Sequence, residues 1–144
     1  MPIRLDHANL TVRDLAGAIR FLRTAFPDFR IRAEGLTWNG ARWVHVGSDE
    51  VYLALSEARV EPAEPWEPYV GRPGTNHLGF EVDDVETVRA RLLAAGYVDS
   101  TVPNAHPHRR RVYFRDAEGN DWEFVEYASD LPAERNDYAL GDAP

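Results

Sequence analysis

The feature that most constrains the fold of this chain is an internal repeat. The stretch around His7, DHANLTVRDLAGAIRFLRTAF, matches NHLGFEVDDVETVRARLLAAGY around His77 at a constant offset. In each copy a short alternating segment precedes an aspartate suited to cap the amphipathic helix that follows. A second region of period-2 alternation comes after each helix. The repeat therefore predicts two modules, each built from a strand, a helix and three further strands.

This repeat predicts an α+β fold with two tandem βαβββ modules in a single domain of 144 residues. The first module would span about residues 1–58 and the second about residues 75–127. Several prolines occupy residues 59–74, and proline cannot lie in a central strand, so this segment is predicted to be a linker. The acidic segment 128–144 shows little periodicity, and we expect a tail that packs loosely or not at all.

The charge of the chain limits its partners. The formal net charge is −8, whereas nucleic acids and anionic membranes attract basic surfaces, so we expect a small-molecule substrate instead. All 16 basic residues are arginine, and without lysine neither a Schiff base nor a P-loop is possible. No cysteine is available for disulfides or thiolate metal ligands. No segment approaches a signal peptide or the about 20 apolar residues of a membrane span, so we expect a cytoplasmic protein.

Two histidines open equivalent strands of the repeat. Alternation with apolar residues places His7 and Asn9 on the strand face opposite the helix, and His77 has the same position in the second copy. If the modules pack as pseudo-symmetric halves, these faces form a concave cleft with one histidine on each side. Asn9 is then a candidate for substrate binding.

A carboxylate on the last strand completes a candidate metal site. The apolar residues Trp122 and Phe124 flank Glu123, which must then point to the opposite face. Two histidines and one carboxylate on three strands form the facial arrangement of non-haem iron(II) oxygenases, and the same set would hold manganese or zinc. We therefore predict His7, His77 and Glu123 as metal ligands. The alternative for Glu123 is an ordinary solvated strand glutamate.

With these residues the sequence resembles the vicinal oxygen chelate superfamily, which includes glyoxalase I, bleomycin and fosfomycin resistance proteins and extradiol dioxygenases. The resemblance covers about residues 3–127. It implies a cupped, barrel-like mixed sheet with the helices outside, around a divalent metal bound by His7, His77 and Glu123. Fe(II) is the expected cofactor, with Mn, Zn and Ni as alternatives. Many two-module relatives are homodimers, so we expect a homodimer, with the modules paired either within or between chains.

One position departs from glyoxalase I. The fourth ligand of that enzyme is a glutamate, and the position that precedes Glu123 by the offset of the two histidines is Leu53. The glutamate of glyoxalase I contributes to proton transfer as well as to metal binding. Its absence disfavours a glyoxalase I activity.

A more specific resemblance to extradiol dioxygenases lies in residues 104–123. His106, Tyr113 and Glu123 fall in register with the signature of those enzymes, whereas Ala117 stands where the signature has proline. A short hairpin would place Tyr113 across from Glu123 on the same face, where its phenol can hydrogen-bond a metal-bound substrate oxygen. The resemblance implies that His106 stabilises the same oxygens.

Three further residues are candidates for chemistry or binding. His45, on the third strand of the first module, is a possible acid or base. Arg109 and Arg111 either recruit a carboxylated substrate or form a solvated strand entrance. The prediction is extradiol-type dioxygenase chemistry on a catecholic or other vicinal-oxygen substrate. The alternatives are a fosfomycin-resistance-like or glyoxalase-like transferase or lyase, and a metal-free binding module like the bleomycin resistance proteins.

Overall fold

The computed structural model describes residues 3–71, 73–103 and 105–139. The chain divides into two compact units, Met1–Pro65 and Trp66–Pro144, and the division falls within the segment predicted to be a linker. Residues 140–144 of the predicted tail and Asn104 of the extradiol-like stretch lie outside the described residues. None of the helices in the described part of the chain has the length and apolar character needed to cross a bilayer.

The first module follows the predicted order of a strand, a helix and three strands. Its elements are β1 (His7–Val12), α1 (Leu15–Ala25), β2 (Arg30–Leu36), β3 (Arg42–Gly47) and β4 (Tyr52–Glu57). The strands form one open sheet in the order β1-β4-β3-β2, in which only β1 and β4 are parallel. Asp14 begins α1 because its carboxylate accepts a hydrogen bond from the Gly17 N–H.

The second module repeats this topology. Its elements are β5 (His77–Glu81), α2 (Val85–Ala94), β6 (Val98–Asp99), β7 (Arg109–Arg115) and β8 (Asp121–Tyr127). The strand order is β5-β8-β7-β6, again with the first pair parallel. Asp84 caps α2 by accepting from the N–H groups of Glu86 and Thr87. The predicted α+β fold with two tandem βαβββ modules is confirmed.

Each module has its own core between the helix and the apolar face of the sheet. In the first, Phe21 of α1 and Leu55 of β4 are fully buried. In the second, Leu92 of α2 is buried together with Phe114 and Phe124 of β7 and β8. Burial of one such side chain stabilises the fold by about 1.5–3 kcal/mol. The opposite face of each sheet is therefore left to polar residues.

The segment after β8 contacts the second module through a few side chains, although most of its described residues are exposed. It contains a short helix, α3 (Pro132–Arg135). Two hydrogen bonds of 3.0 and 2.5 Å join the guanidinium of Arg135 to the carboxylate of Glu81 on β5. The side chain of Arg109 donates to the backbone carbonyl of Arg135 at 3.0 Å. The helix contains no buried residue, and the expectation of a loosely packed tail stays a prediction.

Candidate functional site

His77 and Glu123 lie together on the polar face of the second sheet. Their strands, β5 and β8, are parallel neighbours, and Glu123 pairs with Gly79, two residues after the histidine. The Nε2 atom of His77 is 3.0 Å from Oε2 of Glu123. The side chains are 30% and 15% exposed, so the pair is partly shielded from solvent but remains accessible. Two of the predicted metal ligands therefore converge within one module.

Tyr113 faces the same pair. It lies directly across from Glu123 in the β7–β8 hairpin, as the spacing predicts, and its ring meets that of His77 edge-on at 5.7 Å between centroids. Burial and the charge of Glu123 raise the pKa of Tyr113 to about 12. The phenol therefore keeps its proton at neutral pH and can donate a hydrogen bond.

The two candidate arginines of β7 are both buried, which excludes a solvated strand entrance for either. Arg111 shares a sheet face with Tyr113, and its Nε lies 4.0 Å from Oε1 of Glu123. Arg109 donates to the backbone carbonyls of Arg135 and Asp137 and so holds the C-terminal segment. Arg111 is thus the arginine beside the candidate ligands, whereas the hydrogen bonds of Arg109 go to the C-terminal segment.

A cavity of about 360 Å³ opens on this face of the second module, a volume suited to a small ligand. His77, Tyr113 and Glu123 contribute to its wall together with Arg111. The C-terminal segment also lines the cavity, through Arg135 and Tyr138.

A second hydrogen-bonded group lies behind His77. The Tyr69 hydroxyl donates to Oδ2 of Asp121 at 2.7 Å and lies 3.2 Å from Nδ1 of His77. Asp121 is buried and also accepts from the Ser100 hydroxyl at 2.6 Å. Burial and the bond to Asp121 raise the pKa of Tyr69 well above its usual value.

The sequence patterns did not predict that Tyr69 or Asp121 lies beside His77. Asp121 precedes Glu123 by two positions, so period-2 alternation alone would have placed it on the same face. Tyr69 carries no such signal, because it lies in the irregular segment before β5.

His7 lies on the polar face of the first sheet. Its Nδ1 is 2.6 Å from Oδ2 of Asp6 and 3.0 Å from the Tyr52 hydroxyl, which itself donates to Asp6 at 3.0 Å. Hydrogen bonds from His7 and Tyr52 lower the pKa of Asp6. The ring of His45 faces the same side, 6.4 Å from the ring of His7 and 5.0 Å from that of Tyr52. The structure thus gives His45 the orientation that the sequence left open.

The two remaining candidates have other partners. Asn9 accepts a hydrogen bond from the Ser56 hydroxyl at 3.2 Å on the polar face of the first module. Nε2 of His106 lies 2.9 Å from the Asp137 carbonyl, and its Nδ1 accepts from the His108 N–H at 3.1 Å. Both ring nitrogens of His106 are thus occupied by the backbone. The roles predicted for Asn9 and His106 stay predictions.

The position equivalent to Glu123 in the first module is Ala54, not Leu53. Ala54 pairs with Asn9, two residues after His7, as Glu123 pairs with the residue two after His77. Leu53 pairs with Ala8 and belongs to the buried core face. The number of residues between equivalent positions of the two modules is one smaller for β4 and β8 than for β1 and β5. The offset of the two histidines therefore pointed to Leu53, one residue before the true equivalent. Neither Leu53 nor Ala54 has a carboxylate, and the departure from glyoxalase I remains.

The donors present in the second module fit a divalent cation. An imidazole nitrogen and a carboxylate oxygen are ligands that iron, manganese and zinc accept, and here they point at each other across 3.0 Å. Within residues 3–71, 73–103 and 105–139, no group of three or more His, Asp or Glu side chains is arranged to hold a metal ion. His7, the third predicted ligand, belongs to the first module and has the neighbours given above.

Two βαβββ modules, each with a histidine opening its first strand on the polar face, define a protein of the vicinal oxygen chelate type. A model of the Glyoxalase/Bleomycin resistance protein/Dioxygenase superfamily matches residues 4–124, and the chain belongs to this superfamily. A search of curated proteins finds no match.

Solved structures of the same fold include one from Frankia sp. EAN1pec, a glyoxylase/bleomycin resistance protein/dioxygenase domain. It is 22% identical with a TM-score of 0.74, and the match covers 95% of this chain and 100% of that one. The fosfomycin resistance protein FosX from Listeria monocytogenes, complexed with Mn(II) and sulfate, has a TM-score of 0.65 at 19% identity, covering 94% and 98%. FosX from Mesorhizobium loti has a TM-score of 0.63 at 22% identity, covering 91% and 95%. These likenesses establish the fold.

Proposed function

We propose that the protein is a divalent-metal-dependent enzyme acting on a small substrate that binds through two adjacent oxygen atoms. The observation that carries this proposal is the approach of His77 Nε2 to Glu123 Oε2, with Tyr113 directly across the hairpin from the glutamate. The proposed ligands are His7, His77 and Glu123, and the proposed metal is Fe(II). Bound there, the metal would act as a Lewis acid that lowers the pKa of the substrate hydroxyls and orients them.

Tyr113 is the proposed hydrogen-bond donor to the substrate. Its raised pKa keeps the phenol protonated, and its position beside Glu123 directs it toward an oxygen held near that ligand. A donor aimed at developing negative charge stabilises that charge most strongly where water is excluded. His45, on the polar face of the first module, is the proposed acid or base.

Arg111 is the proposed binding group for an acidic substituent of the substrate. A buried guanidinium forms charge-assisted, often bidentate bonds to carboxylates and phosphonates. The cavity it lines is small enough that the bound anion would lie close to Tyr113 and Glu123. For extradiol cleavage, the reaction we propose first, this favours a carboxylated catechol over an unsubstituted one.

A second candidate is a fosfomycin-resistance-like addition of a thiol to an epoxide. The observation that favours it is the same cavity, in which Arg111 and Arg135 would suit a phosphonate as well as a carboxylate. Listeria FosX, a structural neighbour, was solved with Mn(II) and a sulfate ion. A third candidate is a metal-free binding module.

The experiment that separates these candidates is a substrate screen after anaerobic loading with Fe(II) or Mn(II). Carboxylated catechols would be followed by ring-opening absorbance, and an epoxide phosphonate with a thiol by NMR. The His77→Ala variant should lose activity, and His108→Ala, which removes a histidine paired with Glu134 instead, should retain it. Ring opening supports the first candidate and epoxide consumption the second. Ligand binding without turnover or metal dependence would overturn both in favour of a binding module.

A further inference from the structure

We propose that the C-terminal wall of the cavity, residues 135–138, sets the length of the ligand that the cavity accepts, with Tyr138 as the specificity-determining residue. The ligand class that fits is a planar acid with one aromatic ring. The proposal rests on the proposed function only in taking this cavity as the substrate site. Arg109 and His106 act as positioning residues that hold the wall.

The strands give the cavity two distinct ends. Three cross-strand pairs of β7 and β8 follow one another along its floor: Tyr113 with Glu123, Arg111 with Val125, and Arg109 with Tyr127. Four residues of β8 separate Glu123 from Tyr127, which corresponds to about 13 Å along an extended strand. The candidate metal ligands His77 and Glu123 thus lie at one end, and the wall contacts the pair at the other end.

Two side chains of the wall cover the end of the cavity away from the candidate metal ligands. The guanidinium of Arg135 lies over the Tyr127 ring, 3.8 Å from its centroid, and hydrogen bonds to Glu81 hold it there. The Tyr138 ring lies over the Arg109 guanidinium, with 4.5 Å between the guanidinium carbon and the ring centroid. A ligand that extends from the candidate metal ligands along the strands therefore meets Arg135 and Tyr138.

Arg109 fixes the backbone of the wall. Its side chain is buried, and a buried charge is costly unless hydrogen bonds compensate it. The guanidinium donates to the backbone carbonyls of Arg135 at 3.0 Å and of Asp137 at 3.1 Å. The planar fork of an arginine suits two such acceptors. These bonds hold the residue that directly precedes Tyr138.

His106 holds the same carbonyl. Its Nε2 lies 2.9 Å from the Asp137 carbonyl oxygen, which can only accept a hydrogen bond. Its Nδ1 lies 3.1 Å from the N–H of His108, which can only donate. The ring proton is therefore on Nε2, from which it is donated to Asp137. Donors from two different residues thus converge on one carbonyl beside Tyr138.

The lining of the cavity suits a planar acid. It includes three arginines and three tyrosines: Arg109, Arg111, Arg135, Tyr113, Tyr127 and Tyr138. Guanidinium groups bind carboxylates, and tyrosine rings pack against aromatic rings. Glu81 and Glu123 also line the cavity, but each lies beside one of these arginines. A volume of about 360 Å³ is near the lower limit of the about 300–1,000 Å³ found for ligand sites, which favours a single ring.

The wall lies beyond the part of the chain that the family model matches, residues 4–124. The proposed metal ligands, in contrast, all lie within that part. The length of the ligand would thus be set by a segment that can change without altering the proposed metal site.

The first test is a chemical-shift titration of the ¹⁵N-labelled, metal-free protein with benzoate and with biphenyl-4-carboxylate, which is longer by one ring. Benzoate should shift amide signals of β7 and β8 in the native protein. Tyr138→Ala should shift the ratio of the two affinities by about tenfold or more toward the longer acid, because the wall no longer blocks its second ring. Tyr138 is 59% exposed, so its replacement should not disturb the core.

Trp38→Ala is the matched control for this titration, because it removes an exposed aromatic side chain of the first module. Its ratio of affinities should equal that of the native protein. An unchanged ratio in Tyr138→Ala would overturn the proposal, and so would a native protein that does not bind benzoate.

The second test addresses His106 with the same two acids. His106→Leu removes the donor to the Asp137 carbonyl and should shift the ratio of affinities toward the longer acid. His106→Gln keeps an N–H donor and should retain the native ratio. A merely structural contribution would weaken binding of both acids alike. Such a parallel loss, or an unchanged ratio in His106→Leu, would overturn the positioning role of His106.

These titrations separate the wall from the proposed function because they need no metal. A native protein that binds no metal would overturn the proposed function, while the ratio of affinities still decides the role of the wall. An unchanged ratio in Tyr138→Ala would overturn the role of the wall and leave the proposed metal site standing.

Discussion

Glu123 and Arg111 lie on one face of the second sheet, with Oε1 of the glutamate 4.0 Å from Nε of the arginine. Glu123 thus has an imidazole on one side and a guanidinium on the other. The arginine lies beside the proposed metal site, where an acidic group of a bound substrate would reach it. The two proposed roles, metal binding by His77 and Glu123 and anion binding by Arg111, thus fall to neighbouring side chains.

Replacement of Arg111 by glutamine should weaken binding of an acidic substrate selectively. A hydrogen bond to a charged group contributes about 1.5–3 kcal/mol, which corresponds to a rise in KM of roughly 10- to 100-fold for a carboxylated catechol. The KM of an uncarboxylated catechol should change little. Steady-state kinetics on both substrates measure this difference.

Arg110→Gln provides the matched control for this prediction. Arg110 is the neighbouring arginine of β7, but it is exposed and paired with Glu126. Its replacement should leave both KM values unchanged. An equal rise in KM for both substrates in Arg111→Gln would show that the arginine does not bind the carboxylate.

The register of β4 predicts different degrees of destabilisation for glutamate substitutions at two neighbouring positions, Leu53 and Ala54. Leu53→Glu would bury an unpaired carboxylate in the core and should unfold the first module, since burial of a charge costs several kcal/mol or more. Ala54 is also buried, but it lies across from His45 on the polar face, where a glutamate side chain has polar neighbours, so Ala54→Glu should destabilise the module less than Leu53→Glu. Urea unfolding followed by circular dichroism distinguishes the two. Equal destabilisation by both substitutions would contradict the register.

The ion pair between Glu126 and Arg110 predicts a contribution to acid stability. Hydrogen bonds from Arg110 and from the Val85 N–H lower the pKa of Glu126 in the folded protein. A carboxyl whose folded pKa lies below its unfolded pKa, about 4.3, stabilises the fold above that pH and loses this contribution as the pH falls. Glu126→Gln should therefore lower the free energy of unfolding at pH 7. Below pH 5 the free energy of unfolding of this variant should fall less steeply with pH than that of the native protein.

Urea unfolding between pH 7 and pH 3 tests this prediction. Glu67→Gln, which changes an exposed glutamate outside both sheets, should give the same pH profile as the native protein. A profile of Glu126→Gln parallel to that of the native protein would rule out the proposed contribution of Glu126.

The contact of Arg135 with Glu81 predicts that α3 opens locally when it is broken. Arg135→Ala removes both hydrogen bonds to Glu81 and the packing on Tyr127. Amide hydrogen exchange of residues 129–139 should accelerate, while exchange in β7 and β8 should not change, because local opening does not require global unfolding. Arg23→Ala, on the last turn of α1, is a control in the other module. Unchanged exchange in Arg135→Ala would show that other contacts suffice to hold the segment.

Local rules explain what could be predicted from the sequence. Period-2 alternation placed His7, His77 and Glu123 on polar faces, and a short hairpin placed Tyr113 opposite Glu123. These positions depend only on neighbours within one or two strands, which the pattern of apolar residues determines.

Contacts over longer distances account for what the sequence analysis missed. Tyr69 reaches Asp121 and His77 from an irregular segment, and no periodicity predicts the direction of its side chain. The docking of α3 depends on single charged contacts in the same way. Leu53 was chosen wrongly for another reason. The distance in sequence from the histidine to the last strand differs by one residue between the modules, and a shift of one residue moves a side chain to the opposite face of a strand.

The most direct test of the central claim is metal stoichiometry in the native protein and in Glu123→Ala after anaerobic loading with Fe(II), followed by desalting and elemental analysis. We expect about one metal ion per chain in the native protein and loss of the metal in the variant, because the proposed site needs the Glu123 carboxylate beside the His77 imidazole. Glu67→Ala should retain the native stoichiometry. Absence of metal from the native protein, or full retention in Glu123→Ala, would contradict the proposed metal site.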